Sequence, residues 1–289
     1  MTRIRDLAKD TLIYGLSVVL NPLIQTFVLL RLLTGVLNTY QYGAYSYFYA
    51  VAGILVILYS MRMETTYFRM NADSEEQDVF RTAMSTVVGF SMIFSLILVL
   101  LAPQIAFIFD DPAFARYTIY LAIILFLDAF TAIPFARLRY LEKSLRFSLL
   151  KIINVLVTLL LIIVYLLVFP RLNGIIPDSL AFILSKTYFL DGIFIANALA
   201  SLLIAMIFAD NVRHIRFIKM NRTLFFKMFH YTWPLIIIGI SGNANQLLDR
   251  ILMPFLSGTT MYDGFSNTGV YGGATKIAAI MLLFTNAFN

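Results

Sequence analysis

The chain contains no cysteine, which excludes disulfides and thiolate metal sites and says nothing about compartment. Its histidines, His214 and His230, have no partner at metal-ligand spacing and read as solvated or interfacial residues. Charge is scarce too: Asp, Glu, Lys and Arg make up 13% of the 289 residues, about half the usual share for a soluble domain. Hydrophobic residues fill the difference at 60%, giving a mean hydropathy of +0.83. That composition defines an integral membrane protein.

About 20 apolar residues make one crossing, and eight such stretches follow one another. They are Thr11–Leu37, Tyr42–Met61, Thr82–Ala102, Phe114–Ala136, Ser148–Phe169, Thr187–Ala209, Tyr231–Leu256 and Gly269 to the end. The expected fold class is therefore all-α, a polytopic transmembrane helical bundle. The first stretch is too long for a signal-peptide core and lacks a small-x-small cleavage site, so it is expected to stay as helix one.

Orientation follows from the basic residues. With the N-terminus cytoplasmic, Arg3, Arg5, Lys9, Arg62, Arg137, Arg139, Lys143 and others fall inside, and only Arg116, Arg171 and Lys186 fall outside. Arg31, Arg250 and Lys276 lie within spans. The net charge of +6 thus marks topology and contact with anionic inner-leaflet lipids. A nucleic-acid partner is excluded, because its basic stripe would need an aqueous domain around it.

The loops carry little chemistry. Ser74 and Gln77 have capping-box spacing, which predicts a short interfacial helix leading into the third span. Asp110-Asp111-Pro112 resembles a carboxylate pair but is better read as a helix start, with Asp111 at the N-cap and Pro112 at the first helical position. Arg137 to Lys151 and Arg213 to Lys227 interleave basic and apolar residues as segments lying on the inner leaflet do. The longest outer loop, Asn173 to Lys186, shows no chemistry.

The seventh span is the unusual one, because it carries Asn243, Asn245, Gln246, Asp249 and Arg250 within an otherwise apolar run. A full charge near the bilayer centre costs about 2.5–3.5 kcal/mol, so such residues point to a polar cavity or a pathway. Asp249 and Arg250 are adjacent and face different ways, with Asn245 one turn below the first and Gln246 below the second. An echo of this stretch lies near the start. Gly15-Leu16-Ser17 followed by Asn21 matches Gly239-Ile240-Ser241 followed by Asn245, and Tyr42-Gly43 matches Tyr271-Gly272, at offsets of 224 and 229 residues. Repeats of this kind build carriers with a site between two lobes. Residues 1–215 are expected to form a six-helix lobe, and residues 216–289 the first two helices of a second.

Arg250 and Lys276 are expected in the outer halves of neighbouring helices, where an Arg fork and a Lys point charge suit an anionic ligand such as phosphate. The alternative is a buried Asp249–Lys276 bridge pinning the two helices. Asp128 sits in mid-span on helix four, as a proton- or cation-coupling group or as a carboxyl paired with another helix. Pro134 is expected to kink that helix. Glu64 and Arg69 bracket the inner end of helix two, as a gate or an interfacial ion pair. Arg31 either snorkels to the interface or lines a cavity.

The motifs that carry a resemblance are Gly242-Asn-Ala-Asn-Gln-Leu-Leu-Asp-Arg250 and Gly269-Val-Tyr-Gly-Gly-Ala-Thr-Lys-Ile-Ala278. With Lys9 to Ser17, Gln41 to Ser46 and Met63 to Arg69, they make the chain similar to bacterial oligosaccharide flippases, often labelled polysaccharide biosynthesis proteins. These belong to the MATE-like multidrug/oligosaccharidyl-lipid/polysaccharide exporter superfamily. Arg62 departs from the pattern, where a small residue such as glycine is expected.

The resemblance implies two six-helix lobes around a central cavity, alternating access, and no cofactor. The substrate it implies is a lipid-diphosphate-linked oligosaccharide moved from inner to outer leaflet of the bacterial cytoplasmic membrane. It places Asn245, Asp249, Arg250 and Lys276 at the substrate, and glycan polymerases or glycosyltransferases among the partners. By the same resemblance the 289 residues read as an N-terminal fragment. A drug or cation antiporter is the alternative within the superfamily, but it favours a carboxylate deep in helix one, and Thr11–Leu37 has none. A non-transporting scaffold of a glycan-assembly complex leaves no mark in sequence. An enzyme is not expected, because the inner loops are short and basic and carry no D-x-D or Ser-His constellation.

Overall fold

A computed structural model describes residues 25–72, 74–168, 189–213 and 221–288. The repeat motif at Gly15–Asn21, the outer loop from Asn173 to Lys186, His214 and the lobe boundary at 215 lie outside them. All the elements are helical. In chain order they are α1 (Leu30–Val36, entered through a π-turn at Gln25–Leu29), α2 (Thr39–Ser60), α3 (Met63–Met70), α4 (Glu76–Phe109) and α5 (Ala113–Tyr140). Then come α6 (Ser144–Ile163, extended by a π-turn at Val164–Val168), α7 (Phe189–Arg213), α8 (Arg222–Leu256) and α9 (Met261–Phe288). Six segments are long and apolar enough to cross a membrane: Thr39–Met70, Glu76–Phe109, Ala113–Tyr140, Ser144–Leu167, Phe189–Ala209 and Arg222–Leu256. Of the eight expected spans these are the second to the seventh; the first is described only from Gln25, and α9 (Met261–Phe288) is not among the six.

Helix starts follow local chemistry. Asn38 caps α2 by accepting from the Gln41 amide at 2.8 Å while the Gln41 side chain accepts from the Asn38 amide at 3.2 Å. Asn221 caps α8 in the same sense, and Thr260 accepts from the Asp263 amide at the start of α9. Asp111 accepts from the Ala113 amide at 2.8 Å, so it serves the first turn of α5 as expected, although Pro112 occupies the cap position itself.

The Ser74–Gln77 box does not form. Helix α4 starts at Glu76 with Glu75 at its N-cap and no side-chain cap, and it runs unbroken for 34 residues, about 51 Å. Its first turns extend past the apolar run instead of making a separate helix. Glu76 and Asp78 there complement the positive end of the helix dipole. The short helix is α3, one element earlier.

Between α2 and α3 the chain turns through Met61 and Arg62, both left-handed with φ of 50°. Each such non-glycine residue costs about 1–2 kcal/mol. Met61 is buried against Ile57 and Ile236, which holds the turn in place.

Two ends of the bundle are stitched differently. At the basic end, Arg137 pairs with Glu76 at 2.9 Å and lies over the Phe80 ring, while the Tyr67 hydroxyl donates to Glu76 at 2.7 Å. This ties α3, α4 and α5 together. At the far end, Phe265 of α9 is fully buried among Tyr47, Phe109 and Phe114. Arg116 pairs there with Asp191 at 3.0 Å, joining α5 to α7.

Candidate functional site

The interior is hollow on the side where α2, α5, α6 and α7 face one another. A cavity of about 610 Å³ opens near the basic end, with Arg62, Glu64, Arg139, Asp128, Lys151 and Asn243 among its lining residues. A second cavity of about 320 Å³ lies beyond it, lined among others by Tyr45, Tyr49, Asn197 and Lys276. Asp128, Asn154 and Ser201 line both, so these three residues form the partition.

Each partition residue comes from a different helix, α5, α6 or α7. The Ser201 hydroxyl donates to Asp128 at 2.7 Å. The Asn154 side-chain oxygen is buried and has no hydrogen-bond partner among the described residues. Lys151, one turn before Asn154, packs its ammonium 4.2 Å from the Phe135 ring centre. The cavity position places Asp128 beside a hydroxyl and near the Lys151 cation, where the two cavities adjoin.

Glu64 turns to Arg139 of α5, whose guanidinium donates to it at 3.1 Å, at the mouth of the larger cavity. Arg69 lies exposed further along α3, and Arg31 is exposed on α1.

Arg250 and Lys276 are brought close. Arg250 donates to the Thr275 hydroxyl at 3.0 Å, next to Lys276 in the chain. Lys276 sits fifteen residues after Met261, roughly 22 Å along α9. Its ammonium stands 5.0 Å from the Tyr45 ring centre and 5.8 Å from that of Tyr42, cation–π contacts that partly replace hydration. The Asp249–Lys276 bridge is absent. Asp249 instead accepts from the Tyr271 hydroxyl and from the Arg250 amide.

The polar residues of α8 divide between two faces. Asn243 donates to the Gly53 carbonyl and lines the larger cavity, and Arg250 is half-buried. Asn245, Gln246 and Asp249 are exposed. Lys151, Asn154, Ser201, Tyr49 and Asn197 are the cavity residues that sequence reasoning missed. They come as isolated polar side chains from three largely apolar helices, Tyr49 from α2, Lys151 and Asn154 from α6, and Asn197 and Ser201 from α7, and only packing brings them together.

These features define a polytopic helical membrane protein with a charge-lined hollow reached from its basic end. The chain belongs to the polysaccharide biosynthesis protein family, whose model matches residues 7–289. No curated protein and no solved structure matches it.

Proposed function

We propose that this protein is a flippase for cell-surface polysaccharide synthesis, including lipopolysaccharide, and carries lipid-diphosphate-linked oligosaccharide from the inner to the outer leaflet. The observation that carries the reading is the pair of adjoining cavities sharing Asp128, Asn154 and Ser201. An apolar bundle has no reason to hold four cations and two carboxylates around a hollow unless something polar passes there. Family membership points to a polysaccharide-related cargo. The positive charges around the hollow suit a diphosphate, and its amides and hydroxyls suit a sugar.

The membrane is the bacterial cytoplasmic membrane, with the N-terminus and the basic end on the cytoplasmic side. Residues 1–215 act as one lobe and residues 216–289 open the second, and access alternates between them. Arg250 and Lys276, with Asp249 and Asn245 beside them, meet the cargo on the second-lobe side. The protein is a carrier and not an enzyme. Glycosyltransferases or a glycan polymerase supply and consume its cargo.

The test is complementation of a strain lacking its own flippase with the full-length gene. Restored surface glycan is the expected result. Lipid-linked precursor that stays on the inner leaflet, despite normal amounts of protein in the membrane, would overturn the reading.

A further inference from the structure

We propose that the basic-end mouth of the larger cavity is a phosphate-binding subsite made by Arg62, Arg139 and Lys151, with Glu64 as a built-in competitor that the incoming anion displaces from Arg139. The proposal takes its ligand class, a phosphate or diphosphate headgroup, from the flippase reading; the residues come from the geometry.

All four side chains line one cavity. Among the described residues Arg62 makes no ion pair, and neither does Lys151. Arg139 is engaged by Glu64 at 3.1 Å, in a pair that is about two-fifths exposed on each side. An exposed ion pair of this kind is weakly held, so a doubly charged diphosphate competes well with a single carboxylate for the guanidinium fork. Once Glu64 is displaced, three cations line the larger cavity, with Lys151 reaching from it towards Asp128 at the partition.

Arg62 supplies a second, independent argument. It occupies a left-handed position, with φ of 50° and ψ of 22°, that glycine adopts without strain. Its guanidinium is braced against Gly239 of α8, where an added Cβ would come within 2.7 Å of Nε. A strained backbone retained at a cavity mouth points to a role for the side chain it presents. Glycine at Gly239 leaves room for that side chain to reach from α3 across to α8.

The test uses the full chain in phosphatidylcholine nanodiscs, with farnesyl diphosphate as probe and with inorganic pyrophosphate and phosphatidylglycerol vesicles as competitors. Arg62→Gly relieves the backbone strain and so folds at least as well as the parent. It is expected to weaken farnesyl diphosphate binding at least about tenfold, as loss of a charged hydrogen-bond donor does. Arg62→Lys, which keeps the charge, recovers part of the loss. Glu64→Gln removes the competitor and is expected to tighten binding about threefold or more. Competition by pyrophosphate supports recognition of the diphosphate itself.

Unchanged affinity in Arg62→Gly, or weaker binding in Glu64→Gln, overturns the subsite. So does competition by phosphatidylglycerol without competition by pyrophosphate, which would make the mouth a contact for bulk anionic lipid. The readout is binding and not transport, so the two failures separate. Intact complementation with Arg62→Gly binding unchanged sinks the subsite alone, and the expected binding pattern without complementation sinks the flippase reading alone.

Discussion

Gly43 of α2 and Gly269 of α9 face each other across a seam in which the helix backbones touch. A Cβ on Gly43 would run into the Phe265 carbonyl and come within 3.0 Å of the Gly269 amide nitrogen, and one on Gly269 would run into the Thr39 carbonyl. Three residues further on, Gly272 leaves room for Ser46 and Tyr42. The Tyr-Gly pairs that echo each other in sequence thus mark two parallel helices in direct contact. Small residues at such crossings let membrane helices approach closely.

Gly43→Val therefore forces α9 away from α2 and unseats Phe265. The expected loss is about 1–3 kcal/mol, as for overpacking of a tight contact. It should appear as a lower unfolding temperature in detergent. Gly35→Val, where nothing lies within 4 Å of the added Cβ, serves as the control for the change of residue type. Equal unfolding temperatures for the two variants would remove the seam from the account of stability.

Asp128→Asn preserves the shape of the side chain and its contact with Ser201 while removing the charge beside Lys151. A fall in surface glycan of at least about tenfold is expected at unchanged protein level, because preorganised charge in a water-poor site acts more strongly than in bulk water. Ser201→Ala, which removes one neutral hydrogen bond at about 1 kcal/mol, should do less. Full surface glycan from both variants would leave the partition without a transport role.

Much of this fold was legible because the bilayer imposes a length. Runs near twenty apolar residues had to be spans, and α2, α5, α6 and α7 lie close to where hydropathy places them. What hydropathy could not show is where a helix stops once it leaves the apolar layer. Thus α4 begins at Glu76 and not at Thr82, and α9 begins at Met261 and not at Gly269. Arg250 and Asp249 were legible as residues of interest because charge in an apolar span is conspicuous. Lys151, Asn154 and Ser201 were not, since each looks ordinary on its own helix and gains meaning only where α5, α6 and α7 converge. Arg62 was visible in sequence as a departure from the family pattern, but its left-handed backbone was needed to say what the departure costs.

The girdle at the basic end makes a separate prediction about stability. Arg137 and Glu76 pair at 2.9 Å with about a third and a quarter of their side chains exposed, and Tyr67 donates to the same carboxylate. Partial exposure puts the pair between a surface bridge and a buried one. Arg137→Ala should cost about 1–2 kcal/mol, with part of that from the lost contact with the Phe80 ring. Arg139→Ala breaks the more exposed bridge to Glu64 and should cost less than about 1 kcal/mol. Unfolding temperatures of the two variants in the same detergent check the order, and the reverse order would contradict the burial argument.

Asp249 provides the sharpest test of how α8 and α9 are joined. Its carboxylate accepts from the Tyr271 hydroxyl, whereas the Lys276 ammonium rests over the Tyr42 and Tyr45 rings and makes no ion pair among the described residues. In a double-mutant cycle Asp249→Asn and Tyr271→Phe should therefore couple, by about 0.5–1 kcal/mol as neighbours in one hydrogen bond do. Asp249→Asn and Lys276→Met should add to within about 0.5 kcal/mol. Coupling in the second pair and additivity in the first would restore the bridge that the charge pattern alone allowed. Lys276→Met would then reduce surface glycan by loosening α8 from α9, and unfolding temperature would fall in step with glycan. If Lys276 instead serves the cargo, glycan falls while the unfolding temperature holds, and Lys276→Arg recovers part of the transport because it keeps the charge over the same two rings.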